Sequence, residues 1–441
     1  MKKLICFGMF FILTCSLLLS SCSSDIDELQ LQENNNEFAA PFSRSVDEAI
    51  GIAQKHMDYL YPVTESRRPR TIDRANIKTI KSAASRNGDT EDLIYAINYD
   101  DNQGYVLVSV PRAADEILAV VPKGNFDPEN PGDNPGLNLF IDMAKDYAAD
   151  AARAPKDPNI AYPRDSVAIA LFRNMTDSHP YHCDPQLSLV WGQSGIYGRF
   201  CPNGIAGCTP LAIGTVIIQQ NYKAVANKTM YYNYSGADIN SEYVEWIELY
   251  RHKYSYSYEG GKFNGDHLCY AADKVAVHKT IGRILRQIGK DADTDYSDPR
   301  FSLTYSNKIK PTLKKYTAPG MIISDLKDYN HRYIPKYIDN GLIVMSAGTA
   351  PSETNPNGIG HTWVADGYDF YDVNGEYRTH DIETDEFSNW MPYHQRTISI
   401  HMRWGWSGQD DGYYSGDVFR VNSDYYDRYV RFVASTTCKI N

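Results

Sequence analysis

Trp191 to Tyr222 reads W-G-Q-S-G-I-Y-G-R-F-C-P-N-G-I-A-G-C-T-P-L-A-I-G-T-V-I-I-Q-Q-N-Y. A polar, glycine-rich loop runs into Cys208, and Thr209 and Pro210 then open a long apolar run. Proline is favoured in the first helical turn, where the N–H it lacks would have no partner. The pattern predicts a buried helix that starts at Cys208 and carries Leu211, Ala212, Ile213, Val216, Ile217 and Ile218. A thiol at that end meets unpaired N–H groups and the positive end of the helix dipole, both of which favour the thiolate. On this stretch alone, a nucleophilic cysteine and a buried core cysteine fit equally well.

The chain has 441 residues, with 42% hydrophobic and 22% charged, enough for two or three domains with ample core. A formal net charge of -11 without a basic stripe excludes a nucleic-acid partner. Tyrosine is abundant, at 34 residues, as expected of aromatic packing in strand-rich structure.

Residues 1–22 read as a signal peptide: Met1-Lys2-Lys3 is the positive start, and Leu4 to Leu19 is too short for a comfortable membrane span. The segment closes on Leu19-Ser20-Ser21-Cys22, which resembles a bacterial lipobox with Cys22 as the lipidated residue. Ser23-Ser24-Asp25-Ile26-Asp27-Glu28 is similar to the acidic tract of surface lipoproteins of the Bacteroides group. The expectation is an exported protein anchored by lipid to the outer membrane or cell surface. Beyond the signal, Cys183, Cys201, Cys208, Cys269 and Cys438 are an odd set, so one free thiol is expected. A Cys183–Cys201 disulfide is favoured over a zinc site built from His179, His182 and these cysteines, because their spacing fits no common zinc pattern.

Residues 23–42 read as a flexible tether. Ser45 and Glu48 form a capping box for a helix carrying Ala49, Ala53, Met57 and Leu60 on one face. A hairpin follows, Leu93–Tyr99 and Tyr105–Val110 around Asp100 to Gly104, then a strand at 117–121 and a helix at about 139–152. These make an α+β unit over 43–160, with Pro155, Pro158 and Pro163 marking an exposed link. In 161–441 the helices come first, at 208, about 271–288 (capped by Gly289) and 308–316. Strands follow near 342–345, 361–368, 370–373, 396–403 and 412–421, an α+β order.

A cysteine nucleophile needs a base, commonly a histidine distant in sequence. His361 has the best context, at the start of a strand after a loop containing glycine and proline. Here the chain resembles the streptopain family of cysteine peptidases. W-G-Q at 191–193, G-C-T-P-L-A at 207–212, G-H-T-W-V-A-D-G-Y at 360–368 and W-G-W-S-G-Q-D-D-G-Y-Y at 404–414 are similar to that family's motifs, in the same order. The 43–160 unit resembles its propeptide, above all Tyr95 to Tyr99 and Gln103 to Ser109.

The resemblance implies a papain-like α+β peptidase domain preceded by an inhibitory propeptide domain, acting on proteins or peptides without a cofactor or metal. It implies Cys208 as nucleophile, His361 as base and then acid, and Gln193 in the oxyanion hole. Trp404 would shield the histidine, and Trp406 would pack in the core. Asp366 reads as structural, and Asp410-Asp411 as a solvated turn. The family's asparagine before W-G-W is replaced by Arg403, which cannot accept a proton from imidazole. That substitution motivates a rival reading, a catalytically weak relative that binds peptides or inhibits a protease. A cell-wall amidase with a Cys–His pair is the other rival.

Overall fold

The computed structural model of the chain describes residues 43–63, 69–83, 90–153, 168–187, 189–226, 257–259, 262–264, 272–317, 320–349, 360–381, 384, 386–420 and 428–436. The signal peptide, Cys22, the tether, Cys269 and Cys438 lie outside these residues.

The N-terminal part starts with α1 (Val46–Leu60), where Ser45 caps the helix by accepting the Glu48 N–H at 3.2 Å. Four strands follow: β1 (Lys78–Lys81), β2 (Asp92–Asn98), β3 (Tyr105–Ser109) and β4 (Ile117–Val121), paired antiparallel in chain order. Gly104 cannot be another residue, because a Cβ there would lie 2.2 Å from the Val121 carbonyl oxygen. Side chains alternate across this sheet, and each face has its own helix. Val106, Val108 and Ile97 pack with Ala49, Ala53 and Met57 of α1. Ile94, Leu107 and Ala119 pack with α2 (Pro135–Arg153) through Phe140, Ala144 and Ala148.

The C-terminal part supplies α3 (Cys208–Ala226), α4 (Ala272–Asp291) and α5 (Ile309–Tyr316). Its strands are β5 (Gly341–Thr349), β6 (Gly360–Asp381), β7 (Met391–Arg403), β8 (Gly412–Ser415) and β9 (Arg428–Thr436). The same alternation governs this sheet. Leu342, Val344, Val364 and Val433 face α3, α4 and α5, while Ile343, Met345, Trp363, Ala365 and Met402 face the other way. That second face shares one continuous core with α2 of the N-terminal part.

The two sheets are one. β4 pairs antiparallel with β8, Tyr413 opposite Val120 and Tyr414 opposite Ala119, giving the order β1-β2-β3-β4-β8-β7-β6-β5-β9. The fold is α+β, as the order of elements predicts. Residues 168–177 and 373–395 form a separate unit, in which Arg173 pairs with Glu376 and lies over Trp390. No helix among the described residues is long and apolar enough to cross a membrane.

Several element ends differ from the sequence-based expectation. α2 starts a turn early because Asn134 caps it, Oδ1 accepting from the Gly136 and Leu137 N–H groups, with Pro135 in the first turn. α4 runs past Gly289 to Asp291; a Cβ at this glycine would displace the Tyr296 hydroxyl that packs on the helix there. The strand expected over 412–421 stops at Ser415 and gives way to a short 3-10 turn at Asp417–Phe419. β1 falls in the weakly patterned, basic stretch between the first helix and the hairpin, where periodicity predicts no strand, and a strand at Ala168–Ser178 falls just beyond the proline-marked link.

A shared core and a shared sheet make the two parts separable only at the cost of exposing the apolar face that α2 covers. Cutting the chain between Arg153 and Ala168 should therefore leave both pieces in one complex on native gel filtration, parting only in denaturant. Fragments that elute separately in plain buffer would contradict the shared core.

Candidate active site

Cys208 is the first residue of α3 and is half-buried, while Thr209 to Gln220 behind it are buried. The preceding Gly207 has φ +92 and its Cα faces Ser302, a turn that delivers the thiol to the helix end. Leu211 N–H returns to the Gly207 carbonyl at 3.1 Å, closing the first helical turn. His361 is the second residue of β6 and is buried beside Trp363, with the two rings nearly parallel at 12° and 6.2 Å apart. The helix and the strand are tied beside the two side chains: Thr209 Oγ1 and Thr362 Oγ1 are 2.8 Å apart and buried. That bond joins the neighbour of Cys208 to the neighbour of His361 and fixes their spacing.

The imidazole makes two polar contacts. Its Nε2 lies 2.7 Å from the backbone carbonyl of Trp404. A carbonyl only accepts, so Nε2 carries the proton and Nδ1 is left for the thiol. Burial pushes the Cys208 thiol up, but the hydrogen bond and charge of His361, with smaller help from Thr362 and Thr209, bring it below the ordinary cysteine value. Cys183 and Cys201 behave oppositely: burial is the largest cause in each and raises both. Among the described thiols, Cys208 is the one held toward thiolate.

The disulfide expected between Cys183 and Cys201 is not formed; both are free. They sit on different elements, Cys183 on the short strand opposite Tyr368 and near Gln186, Cys201 in the 198–207 loop against the Tyr296 hydroxyl at 3.8 Å. His179 and His182 both turn to Asp369, at 2.8 and 3.1 Å.

Gln193 is half-buried in the segment that flanks the nucleophile loop, its carbonyl accepting the Ala206 N–H at 2.8 Å. Trp191 just before it accepts the Ser407 N–H at 3.2 Å, so 191–193 is held between the 198–207 loop and the W-G-W loop. Trp404 is fully buried against Trp363 and Tyr414, with its ring 6.2 Å from His361. Trp406, expected in the core, is half-buried and presents its ring to His361 at 71° and 6.4 Å. Both rings thus flank the imidazole, Trp404 from the core and Trp406 from the half-buried side, with Gly405 (φ +74) turning the chain between them.

Arg403 points away from the imidazole, toward buried acceptors. Its guanidinium reaches the Leu187 carbonyl at 2.6 Å, Asp366 at 3.3 Å and Asp411 at 3.3 Å. Asp366 also takes His401 Nδ1 at 2.7 Å; its burial would raise its carboxyl, yet Arg403 and His401 hold it below the usual range. Asp410 and Asp411, expected to be solvated, are 5% and 8% exposed. Asp410 accepts from the Tyr105 hydroxyl at 3.2 Å and from Asn134 at 3.1 Å, both on the N-terminal part.

The N-terminal part reaches the site itself. A Cβ on Gly136, in the first turn of α2, would lie 2.4 Å from Trp404 Cε3 and 2.6 Å from His361 Cδ2. A bare glycine backbone therefore presses on the edge of the imidazole. Sequence reading misses this contact because Asn125 to Asn138 carries the turn residues of a loop; the Asn134-Pro135 cap was the available signal.

The sequence model of the Spi protease inhibitor matches residues 39–148, and that of the peptidase C10 family matches residues 191–414. Among solved structures, a fragment of prointerpain A from Prevotella intermedia is similar at 16% identity and a TM-score of 0.48, covering 82% of this chain and 98% of that one. Active interpain A from the same organism is similar at 15% identity and a TM-score of 0.36, covering 58% and 95%. No curated protein matches the chain. A C10 model matching half of the chain, behind an inhibitor-type domain, identifies this protein as a member of the peptidase C10 family of cysteine peptidases, made with a propeptide-type inhibitor domain.

Proposed function

We propose that this protein is an exported cysteine endopeptidase, made as a zymogen, which hydrolyses protein peptide bonds through Cys208 and His361. The observation that carries this reading is the pairing of the one lowered thiol among those described with an imidazole whose far nitrogen is already engaged by a carbonyl. The Cys208 thiolate attacks the scissile carbonyl carbon, and the oxygen takes the negative charge. Gln193 and the Cys208 backbone N–H donate to that oxygen, a contribution worth about 3 kcal/mol per donor. His361 gives its proton to the leaving amine, leaving an acyl-enzyme. Water then adds to the thioester with His361 as base, and the acid product leaves as the thiol is restored.

In this scheme the Trp404 carbonyl steadies the imidazolium formed when the thiol gives up its proton. The rival reading of a silent relative rested on Arg403 standing where the family's asparagine would accept from the imidazole. The Trp404 carbonyl accepts from Nε2 in its place and the guanidinium is taken up by Asp366, Asp411 and Leu187, which supports turnover.

Latency follows from α2. Its first turn packs on the Cδ2 edge of the imidazole and on the Trp404 ring, behind Nδ1, and Asn134 and Tyr105 hold Asp410 of the W-G-W loop, so the propeptide grips the elements that carry the base. Cys22 would anchor the chain to the outer membrane from the propeptide side. Because the two parts share a core, a cut in the link alone would leave the catalytic part seated; it would leave the membrane only once the propeptide is unseated or degraded.

Purified full-length protein should process itself and be labelled by a thiol-directed peptidase inhibitor, while Cys208→Ala should do neither; equal processing in both removes the peptidase reading. Activity on casein but not on peptidoglycan separates it from the amidase. Gly136→Ala should loosen the propeptide by about 1–3 kcal/mol of overpacking and so speed self-processing; an unchanged rate would mean that α2 does not govern latency. Cys22→Ser should move the full-length protein from the membrane fraction to the soluble one, and continued membrane partition would remove the lipid anchor.

A further inference from the structure

We propose that Asp411 is a positioning residue for His361, acting through the backbone of Trp404, and that Arg403 serves to hold Asp411 in that position. This rests on the reading of Cys208 and His361 as the reacting pair.

The Trp404 backbone is gripped at both ends. Its N–H donates to Asp411 Oδ1 at 3.0 Å, and its carbonyl accepts His361 Nε2–H at 2.7 Å. The other oxygen of Asp411 takes Arg403 Nη1 at 3.3 Å. Arg403 is itself fixed by the Leu187 carbonyl and by Asp366, whose second oxygen holds His401. The chain from Gly405 to Asp410 must double back for Asp411 to reach Trp404. It does so through left-handed residues at Gly405, Ser407, Gly408 and Asp410, with φ of +74, +58, +78 and +59. That conformation costs a non-glycine residue about 1–2 kcal/mol, so the closing bonds of Asp411 hold a loop that would otherwise relax.

The chemistry explains why such a clamp matters here. A side-chain amide orients an imidazole by its own rotamer, but a main-chain carbonyl points where its flanking peptides send it. The carbonyl of Trp404 is free to aim at Nε2 only while its N–H is pinned. Both demands on Asp411, the Trp404 N–H and the Arg403 guanidinium, are donors, so both of its oxygens must accept. Asparagine has the same shape and one acceptor. Asp411→Asn therefore releases one of the two contacts whichever way the amide turns. The charged and titratable groups around this carboxylate are Arg403, His401, Asp410 and Tyr414, and those facing the Cys208 thiol are His361 and Tyr429. A mis-aimed carbonyl supports imidazolium less well, and the thiolate then forms at higher pH.

The test uses self-processed wild type and Asp411→Asn, the variant cut by wild-type enzyme where it does not cut itself. The rate of Cys208 alkylation by iodoacetamide is followed against pH, together with kcat and KM on a peptide substrate. Asp411→Asn should lower kcat by about tenfold or more, keep KM within about twofold, and move the alkylation midpoint up by about half a pH unit or more. Arg403→Lys, which keeps a cation between Asp366 and Asp411 but loses the fork, should shift the midpoint the same way by less, and decides the matter if Asp411→Asn does not fold. A kcat loss with an unmoved midpoint would mean that Asp411 only stabilises the fold and would overturn the proposal. Wild type that resists alkylation, or is alkylated no faster than Cys208→Ala, would take down the Cys208–His361 reading and this proposal with it.

Discussion

The central sheet has two apolar faces, and the chain has to cover both. On one side lie α3, α4 and α5; on the other lies α2, carried by the N-terminal part. Much of this architecture follows from that requirement. A strand buried on both faces loses its alternating pattern and reads as a continuous apolar run, which is why Leu342 to Met345 and Trp363 to Ala365 announce strands so clearly. The same requirement makes α2 a structural layer and an obstruction at once. Its apolar side completes the core while its first turn stands on His361 and Trp404. The packing that completes the core thus also brings the propeptide against the candidate site, closely enough at Gly136 to leave no room for a side chain.

Charge is used in the opposite way. Arg403, Asp366, Asp411 and His401 lie together beside the backbone of Trp404, which holds the imidazole of His361. Buried ion pairs contribute little net stability once desolvation is counted, and removing one member leaves the others exposed to the full cost, about 3–5 kcal/mol. Such a cluster is better understood as a means of fixing direction. It sets the backbone of the W-G-W loop, and the loop sets the carbonyl that faces the imidazole. Asp410, one residue away, belongs to the other side of the same loop and is held by Tyr105 and Asn134. Adjacent acidic residues therefore divide the loop between the catalytic part and the propeptide.

Local signals in the chain were enough for α1 and its cap at Ser45, the β2–β3 hairpin, the helix at Cys208 and the strand at His361. Each rests on periodicity or capping within a few residues, and the sheet and helices formed where those patterns lie. The positions of the candidate residues Cys208 and His361 were legible because a helix start and a strand start are local facts.

Tertiary structure decided what depends on partners far away in the chain. The burial of Trp404 followed from Trp363 and Tyr414 packing on it, and the direction of Arg403 followed from acceptors at positions 187, 366 and 411. The burial of Asp410 and Asp411, the free state of Cys183 and Cys201, and the contact of Gly136 with His361 were equally out of reach. A sequence states which groups a segment offers, but desolvation and hydrogen-bond direction are set by what packs on it from elsewhere. The candidate groups were written in the chain; their orientation and their cover came from the folded sheet.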